Sequence, residues 1–243
     1  FANWAGLYYV GESTSSLKTK ANLFLSNERL SLHDTTDNRN YGAFVFPLTI
    51  EKSYGGITTI RNILEAFDDY AGTGEGISYK AISSGLSKTN SNYNRSKAFV
   101  YCMVNNMFSQ EYYPNICTGT YAWNDVNRTG SYTGNKTIPN IVSAAMSCNY
   151  YDFTPSSTSK NLYVTLQDMN NSYTNISIAC VKQKTNGTYY RYSTGVGSSY
   201  VGTYYTYQFN NFSQSASTKF TIGLINSKTN GTQTLKFTAT YLS

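Results

Sequence analysis

The segment from Tyr112 to Asp125 combines the side chains best suited to bind a ligand. Aromatic rings stack on the apolar faces of sugars, while amide and carboxylate groups bind sugar hydroxyls. Such a mixture occurs here within a few residues of Trp123, which predicts a sugar-binding loop. The alternative interpretation is that Trp123 is a buried core residue followed by turn residues. The candidate ligand-binding residues are Tyr112, Tyr113, Tyr121, Trp123, Asn124 and Asp125.

A second aromatic tract runs from residue 189 to residue 207, and its candidate surface residues are Tyr190, Tyr192 and Tyr204. Strand alternation places Tyr190 and Tyr192 on one sheet face. The tract is rich in Ser, Thr and Gly with alternating rings, and in this composition it resembles the stem hairpin of β-pore-forming toxins. The resemblance covers about 20 residues and implies contact with a membrane, which rings with a polar end suit.

Residues for catalysis are sparse. His33 is the only histidine, and no Gly-x-Ser-x-Gly elbow accompanies it. The Gly-rich stretch 72–76 lacks the Lys-Ser/Thr pair of a phosphate loop. Glycoside hydrolysis requires two facing carboxylates, and the acids after residue 76 are scattered. We therefore predict a protein that is not an enzyme and that needs no cofactor, with a polysaccharide-active enzyme as the third-ranked function.

Four cysteines in a chain of secreted character predict two disulfides, with three possible pairings. Pairing Cys102 with Cys117 and Cys148 with Cys180 closes the shortest loops. A zinc site is disfavoured because no two cysteines have CxxC spacing, so no metal is expected. Disulfides, together with a first residue that is Phe1 and not Met, favour a mature secreted or extracellular protein.

Charge is distributed unevenly along the chain. Residues 1–75 carry 9 acids and 6 bases, whereas residues 76–243 carry 4 acids and 13 bases. The whole chain contains 24 tyrosines among its 243 residues. The part from residue 76 to residue 243 is both basic and aromatic, as expected of a surface that binds a neutral or anionic partner. The bases are dispersed and no helix has a basic face, so nucleic acid is not expected as the partner.

The elements that position these residues are mostly strands. Only one segment, Ile57–Tyr70, shows helical spacing of its apolar residues. The pentapeptide Lys-Thr-Asn-Gly-Thr occurs at 184–188 and again at 228–232, and Asn-Gly between strand-like runs predicts a hairpin at each. The predicted strands are Leu7–Val10, Ala43–Leu48, Ala98–Val104, Leu162–Leu166, Ile176–Val181, Phe220–Ile225 and Leu235–Tyr241.

These patterns predict a mainly β fold in the form of an antiparallel β-sandwich, for which an immunoglobulin-like arrangement is one option. One helix near residues 57–70 is expected to pack on a sheet. One domain spanning 1–243 is favoured over a split into a binding domain at 1–153 and a smaller β domain at 156–243. The Ser/Thr-rich stretch Thr154–Ser159 would lie at that boundary.

In the eleven-residue segment Gly231–Tyr241, near the end of the chain, apolar and polar residues alternate strictly, and the segment ends in Tyr. This segment resembles the final strand of chaperone–usher fimbrial subunits and adhesins, in which an incomplete immunoglobulin-like sandwich is completed by a donor strand. The resemblance implies a bacterial surface protein with pilus or other assembly proteins as further partners. We therefore expect a secreted adhesin or colonisation factor that binds a host-surface glycan or glycoprotein. A β-pore-forming or membrane-active toxin is the alternative function.

Overall fold

The computed structural model describes residues 1–6, 13–70, 75–114, 122–170, 175–192, 200–201 and 204–243. They form two compact units. Unit 1 consists of Phe1–Asn27 and Leu32–Asp125, and unit 2 consists of Glu28–Ser31 and Val126–Ser243. The division therefore falls at residue 125. The stretch 154–159, where the sequence suggested a boundary, connects two strands inside unit 2.

Unit 1 is helical in its described residues. Its helices are α1 (Ala2–Ala5), α2 (Thr14–Leu25), α3 (Val45–Ser53), α4 (Gly56–Asp68), α5 (Glu75–Thr89), α6 (Arg95–Asn106) and α7 (Ser109–Tyr112), with a 3-10 segment at Thr36–Phe44 before α3. The hydroxyl oxygen of Ser13 accepts a hydrogen bond from Ser16 N at the start of α2. Asn94 Oδ1 does the same for Lys97 N at the start of α6. These side chains satisfy backbone donors that a helix leaves open at its first turn.

Two of the predicted strands are wrong, because Ala43–Leu48 and Ala98–Val104 lie in helices. Both are nearly continuous apolar runs, and such a run in a buried helix cannot be distinguished from a buried strand by periodicity. Asn94, placed just before the second run, was the signal for a helix start. The predicted strand Leu7–Val10 lies outside the described residues.

Helix α4 confirms the predicted helix, although it is not the only substantial one, since α2, α5 and α6 are each 12 residues or longer. Its buried apolar side chains are Ile60, Ile63 and Ala66, whereas Ile57 and Leu64 are 51% and 45% exposed. Helix α5 packs closely against α4 at Gly85. A Cβ at that position would overlap the backbone of Ile63, so a glycine is required there.

Unit 2 is an antiparallel β-sandwich, which confirms the predicted fold class. Its first sheet, sheet I, has the strand order β1 (Gly130–Tyr132), β3 (Ser147–Phe153), β9 (Ser217–Asn226), β5 (Ile176–Lys184) and β6 (Tyr189–Tyr192). Its second sheet, sheet II, has the order β2 (Lys136–Ser143), β10 (Gln233–Leu242), β4 (Asn161–Asp168), β8 (Tyr204–Asn210) and β7 (Tyr200–Val201). Only β1 and β3 pair in parallel among the described strands. The strands predicted at Leu162–Leu166, Ile176–Val181, Phe220–Ile225 and Leu235–Tyr241 are all present.

The sandwich core is built from alternate residues of both sheets. In β4, Leu162, Val164 and Leu166 are buried, and in β9 the residues Phe220 and Ile222 face the same core. Each such side chain is removed from water on one face of its sheet, which stabilises the fold by roughly 1.5–3 kcal/mol per large apolar residue. The residues between them point to the other face. This alternation fixes the register of every strand in the sheet.

The two copies of the Asn-Gly pentapeptide have different roles. At 184–188, Lys184 N donates to Thr188 O at 2.8 Å and Gly187 has a φ of +83°, which confirms the predicted hairpin between β5 and β6. The hairpin predicted at 228–232 is wrong, because β9 belongs to sheet I and β10 to sheet II. That copy connects the two sheets, and Gly231 also has a positive φ, +72°. The pentapeptide predicts a sharp turn but not which strands will pair.

The predicted disulfide between Cys148 and Cys180 is wrong, since both are free thiols. Cys148 pairs with Ile225 and Cys180 pairs with Ile222, on opposite sides of β9. Cross-strand partners share a face, and residues 222 and 225 are an odd number apart, so the two thiols point to opposite faces of sheet I. Cys117 lies outside the described residues, so its pairing with Cys102 stays a prediction.

We expect thiol titration to separate accessible from buried cysteines. Cys148 and Cys180 are at most 1% exposed, and burial raises the pKa of both thiols, so both should be nearly inert in the native protein. Titration with a disulfide reagent should reveal at least two additional thiols when the unreduced protein is unfolded. Finding no new thiol on unfolding would show that the two cysteines are oxidised.

Candidate functional site

The aromatic residues that the structure describes in the predicted sugar-binding segment, Tyr112, Tyr113 and Trp123, are part of the core of unit 1. Trp123 is only 1% exposed and Tyr113 only 3%, and Tyr112 is also buried. The Trp123 ring lies 5.9 Å from that of Phe44 and 5.1 Å from that of Tyr113. The prediction that Trp123 presents an accessible ring is therefore wrong, and the core interpretation is confirmed. Asn124 and Asp125 are exposed, and Tyr121 lies outside the described residues.

The polar groups of Tyr112 and Tyr113 are also used within unit 1. Tyr113 Oη lies 2.6 Å from Thr49 Oγ1, and the hydroxyl of Tyr112 contacts that of Ser53. The Lys52 ammonium donates to the Tyr112 carbonyl and lies 4.1 Å from the centroid of the Tyr112 ring. These contacts orient the aromatic cluster from inside the fold, so its rings stabilise unit 1 and are not available to a ligand.

The second aromatic tract does not form one hairpin. Tyr190 and Tyr192 lie in β6 of sheet I, whereas Tyr204 lies in β8 of sheet II. Residues 193–199 and 202–203 between them are outside the described residues. Tyr190 is 51% exposed and pairs with Lys182 of β5. It is therefore the member of this tract for which the structure shows an accessible ring.

The sheet II face that points away from the core carries a feature that the sequence did not reveal, a row of four threonines. Thr238 of β10 pairs with Thr137 of β2 and with Thr165 of β4, and Thr165 pairs with Thr206 of β8. We call these four residues the threonine row. Neighbouring strands are about 4.8 Å apart, so the row places four hydroxyls along about 14 Å, perpendicular to the strands. The Thr137 and Thr238 hydroxyl oxygens lie 3.4 Å apart.

Polar side chains flank the threonine row on the same face. On one side, Tyr163 pairs with Thr240 and with Gln208. On the other side, Lys236 pairs with Gln167. The Tyr163 side chain is 36% exposed and Gln208 is exposed. Together with the threonine row, these five residues define what we call the hydroxyl face.

The hydroxyl face has the properties of a preorganised polar binding surface. Threonine has few χ1 rotamers, and its hydroxyl can both donate and accept a hydrogen bond. The strands beneath are anchored by core residues such as Leu166 and Phe237, which are fully buried. Asp168 is the only acidic residue in the described strands of sheet II. It is 0% exposed, and its position in β4 faces the core. The face can therefore offer hydroxyls, amides, one ring and one ammonium group, and no accessible carboxylate.

Sequence reasoning missed the hydroxyl face although part of its signal was visible. Strict alternation in Gly231–Tyr241 places Thr234, Thr238 and Thr240 on one face of β10. Nothing local predicts that Thr137, Thr165 and Thr206 will stand beside Thr238. Their alignment depends on the register of three strand pairs, which is determined by core packing.

Asp152 is the centre of a buried ion-pair cluster on the outer face of sheet I. Its Oδ1 accepts hydrogen bonds from Arg128 Nε at 2.8 Å and from Thr221 Oγ1 at 2.6 Å, and its Oδ2 lies 3.2 Å from Lys219 Nζ. The Asp152 and Arg128 side chains are 11% and 15% exposed. Both oxygens of this carboxylate thus face a cation, and Oδ1 also accepts from a hydroxyl, as expected for a structural ion pair.

The other candidate chemistry is weak in the described residues. His33 packs edge-on against Tyr79, with ring centroids 4.6 Å apart. Within the described parts of the chain, no group of three or more His, Cys, Asp or Glu residues is placed to hold a metal ion. None of the described helices has the length and apolar character needed to cross a membrane.

Comparison with known proteins gives distant likenesses to solved structures. No family model and no curated protein matches the chain. The chain is similar to the pre-peptidase C-terminal domain of a collagenase from Bacillus anthracis, with 15% identity and a TM-score of 0.32 over 48% of this chain and 99% of that one. A surface-associated copper-binding protein of Methylomicrobium album shares 9% identity at a TM-score of 0.30, over 47% of this chain and 98% of that one. A Bacillus licheniformis lipase in its propeptide form has 11% identity and a TM-score of 0.29, over 56% of this chain and 27% of that one. At these TM-scores the likenesses carry no argument about function.

Proposed function

We propose that this chain is a secreted adhesin-type protein that binds a surface glycan without catalysis, and that unit 2 contacts the glycan through its hydroxyl face. The observation that carries the proposal is the threonine row, which aligns four hydroxyls in register across four strands. Tyr163 adds a ring beside that row. Sugar rings present hydroxyls around apolar faces, and this combination of side chains complements both.

The geometry favours an extended glycan that lies across the strands. The spacing of about 4.8 Å between neighbouring strands is close to the length of one sugar unit, so successive units could each meet a threonine. A row of four threonines would then accommodate roughly four units. Little ordering is required of the protein, because the threonines are already held by the sheet, and this lowers the entropic cost of binding.

The carboxylates of unit 2 support binding over hydrolysis. Its three acids are Glu28, Asp152 and Asp168, and all are at most 8% exposed. Asp152 is held by Arg128 and Lys219. Hydrolysis of a glycoside would need two carboxyl groups that reach the same sugar.

The test is a double substitution, Thr165→Val with Thr238→Val, in the full chain. Valine keeps the shape and strand preference of threonine and removes only the hydroxyl. Each lost hydrogen bond costs about 0.5–1.5 kcal/mol, so the affinity for a glycan selected on an array should fall roughly 5- to 150-fold. Thr185→Val, in the exposed turn between β5 and β6, is the matched control and should bind like the wild type.

Thermal unfolding of all variants shows whether the sandwich is intact. Unchanged glycan affinity in a folded double variant would contradict the proposed site. Binding to no glycan of the array by the wild-type protein would contradict the proposed function itself.

A further inference from the structure

The charges of unit 2 are strongly asymmetric between its interior and its surface. The unit contains ten Lys and Arg residues and three acids. The acids Glu28, Asp152 and Asp168 are 3%, 8% and 0% exposed. The side-chain charge that unit 2 presents to solvent is therefore almost entirely positive. Such a field attracts an anionic partner and speeds its approach.

Lys182 stands out among these cations because it is buried. It is 7% exposed and lies on the core-facing side of β5, between Cys180 and Lys184. Its ammonium lies 5.9 Å from the centroid of the Phe220 ring. The Lys182 ammonium has no ion-pair or hydrogen-bond partner among the residues that the structure describes, and the undescribed residues of unit 2 include no Asp or Glu.

The nearest acid in sheet I cannot compensate this charge. Asp152 pairs with Thr221, which pairs with Val181, so its side chain lies on the face opposite to Lys182. It is already engaged with Arg128 and Lys219. Burial, and secondarily the charge of Lys184, lower the pKa of Lys182. An ammonium group that loses part of its hydration and has no counter-charge is destabilised, and a bound anion would offset that loss.

The surroundings of Lys182 open to solvent on the strand β6 side. Tyr190, its cross-strand partner, is 51% exposed. The Lys184 ammonium lies 5.8 Å from the centroid of the Tyr190 ring. Arg191 is exposed, but it pairs with Val181 and therefore points to the opposite face of sheet I. We call Lys182, Lys184 and Tyr190 the basic corner, which combines two cations with one accessible ring.

We infer that the basic corner binds an anionic group of the partner, and that the glycan of the proposed function is an acidic polysaccharide carrying sulfate or carboxylate groups. The inference about the glycan rests on the proposed function, whereas the anion site stands on the geometry of Lys182. A neutral ring beside cations suits a charged sugar better than a bare phosphate chain, because the ring can pack against the sugar while the ammonium groups meet its anion.

The anion site is tested first with inorganic sulfate. Thermal unfolding is followed with increasing sodium sulfate for the wild type, for Lys182→Met, and for Lys136→Met as a matched lysine elsewhere in unit 2. Sulfate stabilises proteins in general, so the three curves are compared at equal concentration. We expect a larger rise of the midpoint for the wild type and Lys136→Met than for Lys182→Met. Equal rises in all three would overturn the anion site.

The ligand class is tested with a sulfated polysaccharide, the same polymer after desulfation, a polyuronate, and duplex DNA of similar charge. The wild type should bind the sulfated polymer or the polyuronate more tightly than the desulfated one, with an affinity that falls as salt is added. Lys182→Met with Lys184→Met should weaken this binding roughly 10-fold or more, as expected for the loss of charge-assisted hydrogen bonds. Tightest binding to DNA, or an unchanged affinity in the double variant, would overturn the assignment.

The two proposals fail differently. Loss of binding in the lysine variants with normal binding in Thr165→Val/Thr238→Val would support the basic corner as a site and contradict the hydroxyl face. The reverse pattern would support the hydroxyl face and contradict the basic corner.

Discussion

Replacement of Trp123 by alanine should destabilise unit 1 strongly, by about 3–5 kcal/mol. The side chain is 1% exposed and packs against Phe44 and Tyr113, so its removal leaves a large cavity among rings. Trp4 belongs to the same unit and is also buried, and its Nε1 donates to Glu51 Oε2 at 2.8 Å. Its fluorescence can therefore report the unfolding of the Trp123→Ala variant in denaturant.

The matched control for this prediction is Trp123→Phe. Phenylalanine retains an aromatic ring at the site and should cost clearly less than alanine, about 1–2 kcal/mol. An unchanged unfolding midpoint for Trp123→Ala would contradict the burial of this residue. It would also restore the segment around Trp123 as a candidate ligand site.

Replacement of Asp152 by alanine should destabilise unit 2 by about 2–4 kcal/mol, somewhat less than for a fully buried pair. The substitution leaves the Arg128 guanidinium nearly buried without its carboxylate and removes the acceptor of the Thr221 hydroxyl. The Lys219 side chain is 29% exposed and can regain water, which moderates the loss. Chemical denaturation of the full chain, followed by its far-ultraviolet circular dichroism, to which both units contribute, measures the effect.

Two controls separate burial from the mere presence of an ion pair. Asp152→Asn keeps a hydrogen-bond acceptor and the shape of the side chain while it removes the charge. The stability of this variant should therefore lie between that of the wild type and that of Asp152→Ala. Glu65→Gln disrupts contacts with Arg61 and Lys88 that are solvent-exposed, and should leave the midpoint unchanged within error. An Asp152→Ala variant as stable as Glu65→Gln would show that the buried cluster contributes nothing to stability.

The local pattern of residues was informative wherever local interactions decide the structure. Period-two alternation identified the strands at Leu162–Leu166 and Leu235–Tyr241, because a half-buried strand requires it. Apolar spacing identified helix α4 within about two residues of its ends. The Asn-Gly turn at 184–188 was identified correctly because Gly187 adopts a positive φ that few other residues tolerate.

The errors occurred where distant parts of the chain decide the outcome. Apolar runs such as Ala98–Val104 have no period, and only their neighbours in space determine whether they become helix or strand. Trp123 carries the same sequence signature whether it is exposed to a ligand or packed against Phe44. Cys148 and Cys180 would close one of the shortest possible disulfide loops in the sequence. In the structure, strand β9 lies between their strands, and their thiols point to opposite faces of sheet I.

The sequence by itself thus determined an antiparallel β-sandwich, although not its confinement to unit 2, together with one helix, one hairpin and the excess of basic residues in the second part of the chain. Only the tertiary structure decided that unit 1 is helical, that the predicted tryptophan site is core, and that four threonines align across sheet II. It also showed that Lys182 is buried while the acids of its unit are engaged or enclosed elsewhere. The physical reason is that backbone propensity and periodicity act over a few residues. Register, burial and charge pairing, in contrast, depend on contacts between strands and helices that are far apart in the chain.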